Sequence, residues 1–208
     1  SRPVPPETPV HGGPDALGVP LHDLSTNANA CGPCPAALDA LVQVDARHYP
    51  DPGYEALVRA LADWHAVAPQ RVFVAASASE FIQRISVAVQ LLAQEAGAGP
   101  ATLWQPAHAY GDYARAAQAA GLRPVAIPAE ARLLWSCEPS SPLGQADAGL
   151  AARVMALRSG QVLVLDQAYE PLRLAGAPSL DATALDRVWR LITPNKALGL
   201  TGVRAAYA

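Results

Sequence analysis

Lysine is almost missing from this sequence. Of fifteen basic residues only Lys196 is a lysine, and the rest are arginines. They form no basic block and the formal charge is −3, so the chain lacks the footprint of a nucleic-acid surface or of attraction to anionic membranes. Cysteine is scarce too. Three residues, Cys31, Cys34 and Cys137, cannot build a disulfide framework. No second Cys or His pair stands at ligand spacing from them, so no metal is expected. No apolar run approaches the roughly 20 residues that span a bilayer. No positive start leads into an apolar stretch, so no signal peptide is read. Cytoplasm is the expected location.

What is present is apolar and rich in proline. With 51% hydrophobic and 16% charged residues over 208 positions, the chain suits one globular α/β domain, or one domain with an appended arm. The twenty prolines concentrate in the first 52 residues and in later loop signals. Residues 1–34, rich in Pro, Gly and Asn without periodicity, read as an arm. The remaining 35–208 read as the folded unit. The start without Met and the end inside an expected strand suggest a piece of a longer protein.

Beyond the arm, helix and strand patterns alternate. Pro35 opens an expected helix through about Ala46. Residues 53–67 carry Leu57, Val58, Leu61 and Trp64 at helical spacing. Further helices are expected on Phe81–Leu92, Tyr110–Ala120 and Leu150–Leu157. Short strands are expected at 72–75, 101–104, 124–127, 133–135, 162–165, 188–192 and 203–208. Alternation of this kind predicts a three-layer α/β/α fold around a mostly parallel sheet, with ligands at the carboxyl ends of the strands.

The segments after those strands carry the chemistry. Ala76-Ser77-Ala78-Ser79-Glu80 opens a helix, where first-turn N–H groups can hold a phosphate or where a serine simply caps. Tyr110 follows the next strand, placed either to stack on a flat ring or to pack in the core. Ser140-Ser141-Pro142-Leu143-Gly144 is a rigid loop whose serines serve a ligand or the turn. Asp166, at the end of the strand at 162–165, is costly to bury without a cation or a protonated ring nitrogen, unless it caps a helix. Tyr169 lies three residues further on. Thr193-Pro194-Asn195-Lys196 carries the lone lysine, either a surface residue or a desolvated amine able to attack a carbonyl.

Taken together, Asp166-x-x-Tyr169, Thr193-x-x-Lys196 and Arg204 resemble fold-type I pyridoxal-phosphate enzymes. The likeness runs from about His11 to the last residue and is nearest to the histidinol-phosphate aminotransferases and the related threonine-phosphate decarboxylases. It implies the large domain of the aspartate aminotransferase-like fold, with pyridoxal 5'-phosphate on Lys196 as a Schiff base. It implies that Asp166 pairs with the ring nitrogen, that Tyr169 meets the phenolic oxygen and that Tyr110 stacks on the ring. Ala78, Ser79, Thr193, Asn195 and Arg204 would hold the phosphate, with Tyr49 reaching the phosphate of a neighbouring subunit in a homodimer. His11, Gly12, Asn27 and Asn29 would line the substrate side. The expected activity is transamination of an amino acid or a phosphorylated amino compound.

Two departures stand out. Relatives usually carry Asn-Asn-Pro-Thr-Gly where Ser140-Ser141-Pro142-Leu143-Gly144 stands, so the contact of Ser141 with the phenolic oxygen is expected to be weaker or water-bridged. The small C-terminal domain with its substrate-binding arginine is also expected but missing. Three competing readings remain. His11-Gly12-Gly13 resembles the opening of the decarboxylase branch. Cys31-Gly32-Pro33-Cys34 resembles a thiol-disulfide oxidoreductase motif, though no apolar strand is expected before it. A cofactor-sensing regulator would need a DNA-binding module, and the arm does not resemble one.

Overall fold

A computed structural model describes residues 12–14, 16–19 and 21–208. The sheet is built on two neighbouring strands, β4 (Leu133–Cys137) and β5 (Val162–Asp166), paired in parallel from Leu133–Val162 to Cys137–Asp166. Their residues are apolar and alternate between two cores, as the period of two in a strand requires. Leu133, Trp135 and Val164 face one core, while Leu134, Leu163 and Leu165 face the other. A sheet buried on both faces in this way is the middle layer of three.

Strands β2 (Thr102–Trp104), β3 (Arg123–Pro124) and β6 (Trp189–Leu191) complete a parallel five-stranded sheet in the order β3-β2-β4-β5-β6. The first core is roofed by α3 (Ala78–Glu95) and α4 (Gly111–Ala119). Helix α3 buries Ile82, Ser86, Val89 and Ala93 at helical spacing, and the Ser86 hydroxyl donates to the Ile82 carbonyl at 2.8 Å. The second core is covered by α5 (Leu150–Met155), through Leu150 and Val154, and by the short α6 (Ala182–Leu185), through Ala184 and Leu185. These layers are the α/β/α architecture expected from the alternation.

Several elements differ from the sequence expectation. The strand expected at 72–75 is β1 (Val74–Ala75), and it runs antiparallel to β7 (Ala206–Tyr207). This pair joins the main sheet through an antiparallel bridge between Ile192 and Tyr207, with hydrogen bonds of 2.9 and 3.0 Å. The expected strand 124–127 shortens to Arg123–Pro124, and Pro128 then opens a 3₁₀ turn. Helix α1 (Pro35–Val42) ends before Ala46, because Asp45 turns its carboxylate onto the Arg47 N–H at 3.1 Å and competes with the helix. Helix α2 spans Glu55–His65. No helix of the described residues is long and apolar enough to cross a membrane.

Candidate cofactor site at the strand ends

Parallel pairing brings the ends of β4, β5 and β6 to one edge, where Cys137 lies opposite Asp166 and Asp166 opposite Leu191. Asp166 is buried at 6% exposure. Its Oδ2 accepts from the Tyr113 hydroxyl at 2.6 Å and its Oδ1 from the Ala168 N–H at 2.9 Å. Burial pushes its carboxyl above the ordinary range, while the Tyr113 hydroxyl, the Ala168 N–H and the charge of Lys196 pull it back. Burial, and then Asp166, drive the Tyr113 phenol well up, so it stays a donor. Burial likewise raises the Cys137 thiol, with the Asp166 charge adding to it.

Lys196 lies on a short helix, α7 (Pro194–Ala197). Pro194 at its first position accounts for the turn. The lysine is half-buried, and its Nζ stands 5.0 Å from the centroid of the Tyr169 ring. No carboxylate of the described residues lies within ion-pair distance of it. At the N-cap of this helix and within its first turn are polar atoms without partners among the described residues. Among the described residues, the buried Thr193 Oγ1 has no hydrogen-bond partner and the buried Asn195 Oδ1 accepts no hydrogen bond. Orphaned buried polar atoms are rare and costly, and here they border the only lysine.

At the start of α3 the Ser77 hydroxyl accepts from the Glu80 N–H at 3.1 Å, and the Glu80 carboxylate accepts from the Ala76 N–H at 2.6 Å. Ser77 is therefore a helix cap. The first-turn amides of Ala78 and Ser79 have no partner among the described residues. The Ser79 hydroxyl is engaged, donating to Asp112 Oδ2 at 2.6 Å, while Asp112 pairs with Arg115. For an anion, then, this helix start offers backbone N–H groups. Tyr110 caps α4 and meets Tyr113 edge-on, with centroids 5.7 Å apart. Burial pushes its phenol up to about 12, with a contribution from Asp112.

The loop after β4 is held by Ser140, which binds Gln145 and Gly144 through its own backbone and hydroxyl. Ser141 beside it is half-buried. Arg204 is exposed and has no acid partner among the described residues. Tyr49 is 99% exposed. Gly12 lies flat on the Ser25 carbonyl, where a Cβ would come within 1.9 Å, and the Gly13 N–H donates to Ser25 Oγ at 2.8 Å. Asn27 is exposed nearby. His11 lies outside the described residues. Asn29 is tied to the lysine helix, its N–H donating to the Lys196 carbonyl and its side-chain amide to the Ala197 carbonyl. Cys31 and Cys34 are free, and among the described residues no strand precedes them.

Sequence reasoning missed Tyr113. The available signal was the spacing of Tyr110 and Tyr113, three apart at a helix start after a strand.

No protein-family model matches the chain. It is 30% identical over 209 residues to the aromatic amino acid aminotransferase of Rhodococcus opacus (strain B4), an alignment covering 89% of this chain and 56% of that protein. The structure of histidinol-phosphate aminotransferase from Sinorhizobium meliloti in complex with pyridoxal-5'-phosphate is similar with a TM-score of 0.71 at 24% identity, covering 88% of this chain and 54% of that one. L-threonine-O-3-phosphate decarboxylase from Porphyromonas gingivalis also gives a TM-score of 0.71, at 17% identity, over 88% of this chain and 57% of that one. The chain spans a little over half the length of the curated relatives it matches. The fold is that of the large domain of fold-type I pyridoxal-phosphate enzymes. In sequence the chain is similar to proteins named aromatic amino acid aminotransferase and histidinol-phosphate aminotransferase.

Proposed function

We propose that this chain is the cofactor-binding part of a pyridoxal-phosphate-dependent aminotransferase, with Lys196 as covalent carrier. The observation that carries the reading is the pairing of the chain's sole lysine, half-buried and without a carboxylate partner among the described residues, with a buried carboxylate at the same strand ends. Asp166 has the charge and position to hold a protonated ring nitrogen. Thr193 and Asn195, whose buried oxygens lack partners, together with the free amides of Ala78 and Ser79, suit a phosphate. Arg204, without an acid partner among the described residues, can make a forked contact with the same group. Tyr169, under the lysine ammonium, and Ser141 suit the phenolic oxygen, and Tyr110 suits the ring face.

When bound, the cofactor serves as an electron sink for the substrate's α-carbon. The chain's part is to hold it in place, to keep Asp166 ionised beside it and to carry the substrate's α-proton on Lys196 Nζ. The substrate is an amino acid or a phosphorylated amino compound, with Gly12, Asn27 and Asn29 on its side of the site. Aminotransferase names among the sequence relatives support transfer of the amino group over decarboxylation. Residues 35–208 act as the cofactor-binding unit and 1–34 as its arm. A homodimer fits the exposure of Tyr49, Leu17, Leu21 and Leu24, which a second copy would cover, and the proposed location is the cytoplasm.

The test is borohydride reduction of the protein mixed with pyridoxal phosphate, followed by peptide mass analysis. Lys196 should be labelled stoichiometrically, and Asp166→Ala should lose the label. A label confined to the N-terminal amine in folded protein would overturn the reading.

A further inference from the structure

Tyr113 belongs to none of the contacts described for the cofactor, yet it is the most constrained aromatic of the site. It is 1% exposed, on the sheet-facing side of α4. Its ring lies on that of Trp135 with centroids 4.1 Å apart and planes within 6°. Trp135 is itself fully buried in the middle of β4. The edge of Tyr113 meets Tyr110, and its hydroxyl ends on Asp166 Oδ2 at 2.6 Å. One side chain thus links the sheet floor, the expected ring-stacking tyrosine and the expected ring-nitrogen carboxylate.

We infer that Tyr113 is a positioning residue, its hydroxyl setting the plane and the charge of Asp166 and its ring setting Tyr110 for the cofactor. The inference rests on the pyridoxal-phosphate reading. A carboxylate can rotate about its last bond. Here the Ala168 N–H holds one oxygen and the Tyr113 hydroxyl the other, so the rotation is closed. The hydroxyl cannot drift, since the stack on Trp135 fixes the ring that carries it. A short bond from a neutral donor also keeps a buried carboxylate ionised without adding a competing cation. The groups that face Asp166 are Tyr113 from α4, Cys137 from β4, Lys196 from α7 and the Ala168 N–H from its own loop. Lys196 is the only one among them that bears a positive charge. Tyr113 is the only side chain among them that hydrogen-bonds the carboxylate.

Two variants of the full chain test this. Tyr113→Phe keeps the ring and removes the hydroxyl; 3-fluorotyrosine at position 113 keeps the hydroxyl and makes it a stronger donor. The Asp166 carboxyl is followed by infrared pH titration without cofactor, its band identified by its loss in Asp166→Asn. The midpoint should move to higher pH in Tyr113→Phe and to lower pH with 3-fluorotyrosine, a pair of opposite shifts that a purely structural role would not produce. With pyridoxal phosphate added, Tyr113→Phe should bind roughly 10-fold more weakly. The pH midpoint of the bound cofactor's near-visible absorbance should move as well. If Tyr113→Phe fails to fold, the fluorotyrosine shift alone decides. A wild-type midpoint in every folded variant overturns the inference and leaves the cofactor reading standing. A wild-type chain that takes up no pyridoxal phosphate overturns that reading and this inference with it.

Discussion

The backbone N–H of Asn29 donates to the carbonyl of Lys196 at 2.9 Å, and the Asn29 side-chain amide donates to the next carbonyl, that of Ala197, also at 2.9 Å. The arm therefore closes the carboxyl end of the short helix that carries the lysine. The Cys34 N–H adds a bond to the Leu198 carbonyl at 2.8 Å, and Gly199 packs so tightly on the Gly32 carbonyl that a Cβ there would come within 2.5 Å.

Asn29→Ala should accordingly loosen α7. The variant loses the bond to Ala197 and the acceptor for the Cys31 N–H, while the backbone bond to Lys196 remains. A loss of about 1–2 kcal/mol in urea-unfolding free energy is expected. Amide exchange should quicken at Leu198, whose N–H closes the end of this helix.

Asp166→Asn should separate stability from binding. Burial raises the native carboxyl above its unfolded value, so the stability tied to this group is full below an unfolded value near 3.8 and is lost as pH rises through the higher folded value. The asparagine variant escapes that loss. Without cofactor it should be at least as stable as wild type at neutral pH in urea titrations, while its affinity for pyridoxal phosphate falls by ~30-fold or more. Equal affinity would count against Asp166 as the partner of the ring nitrogen.

His65 should give the chain an acid-sensitive edge. It meets the Tyr207 hydroxyl at 3.1 Å, and partial burial, with Arg190 assisting, lowers its pKa below the ordinary 6.5. The unfolded chain then takes up the proton first. The stability tied to His65 is complete above about pH 6.5 and is lost as pH falls from there through the lower folded value. Urea midpoints measured across that window should fall in wild type and fall less in His65→Gln.

Arg173 should matter more for stability than a surface ion pair does. It meets Glu138 at 3.0 Å, with side-chain exposures of 12% and 3%. Ser179 also donates to the same Glu138 oxygen through its N–H and hydroxyl, and the other oxygen is buried without a partner among the described residues. Arg173→Ala strands that carboxylate and should cost about 3–5 kcal/mol in chemical unfolding. Adding Glu138→Gln to it should recover part of the loss.

The three thiols should differ in reactivity. Cys31 is exposed, whereas Cys137 is half-buried with its thiol pushed up by burial and by Asp166. Titration of the native protein with a chromogenic disulfide should modify Cys31 first and Cys137 last. Blocking Cys31 should leave pyridoxal-phosphate uptake in place, whereas loss of activity without any bound cofactor would favour the dithiol reading.

Much of this molecule can be read locally. The apolar runs at 133–135 and 162–165 identify the central strands because a strand covered on both faces needs apolar side chains on both. Asp166 and Lys196 draw attention for a similar reason: a carboxylate ending a buried run and a lysine without any other in the chain are both anomalies against their neighbours. The order of the elements, the parallel sheet and the line of residues at its carboxyl edge all follow from such short-range pattern.

Tertiary structure decided the rest. That β1 pairs with β7, and antiparallel, follows from where the chain returns, and no two-residue strand encodes its partner. Tyr113 reaches Asp166 across 53 positions and Asn29 reaches Ala197 across 168, contacts to which side-chain periodicity is blind. Ser79 looked free to bind an anion until the fold brought Asp112 to its hydroxyl. Local pattern determines which side chains face the core or stand at a strand end. Which of them then meet depends on packing two layers of helices on one twisted sheet.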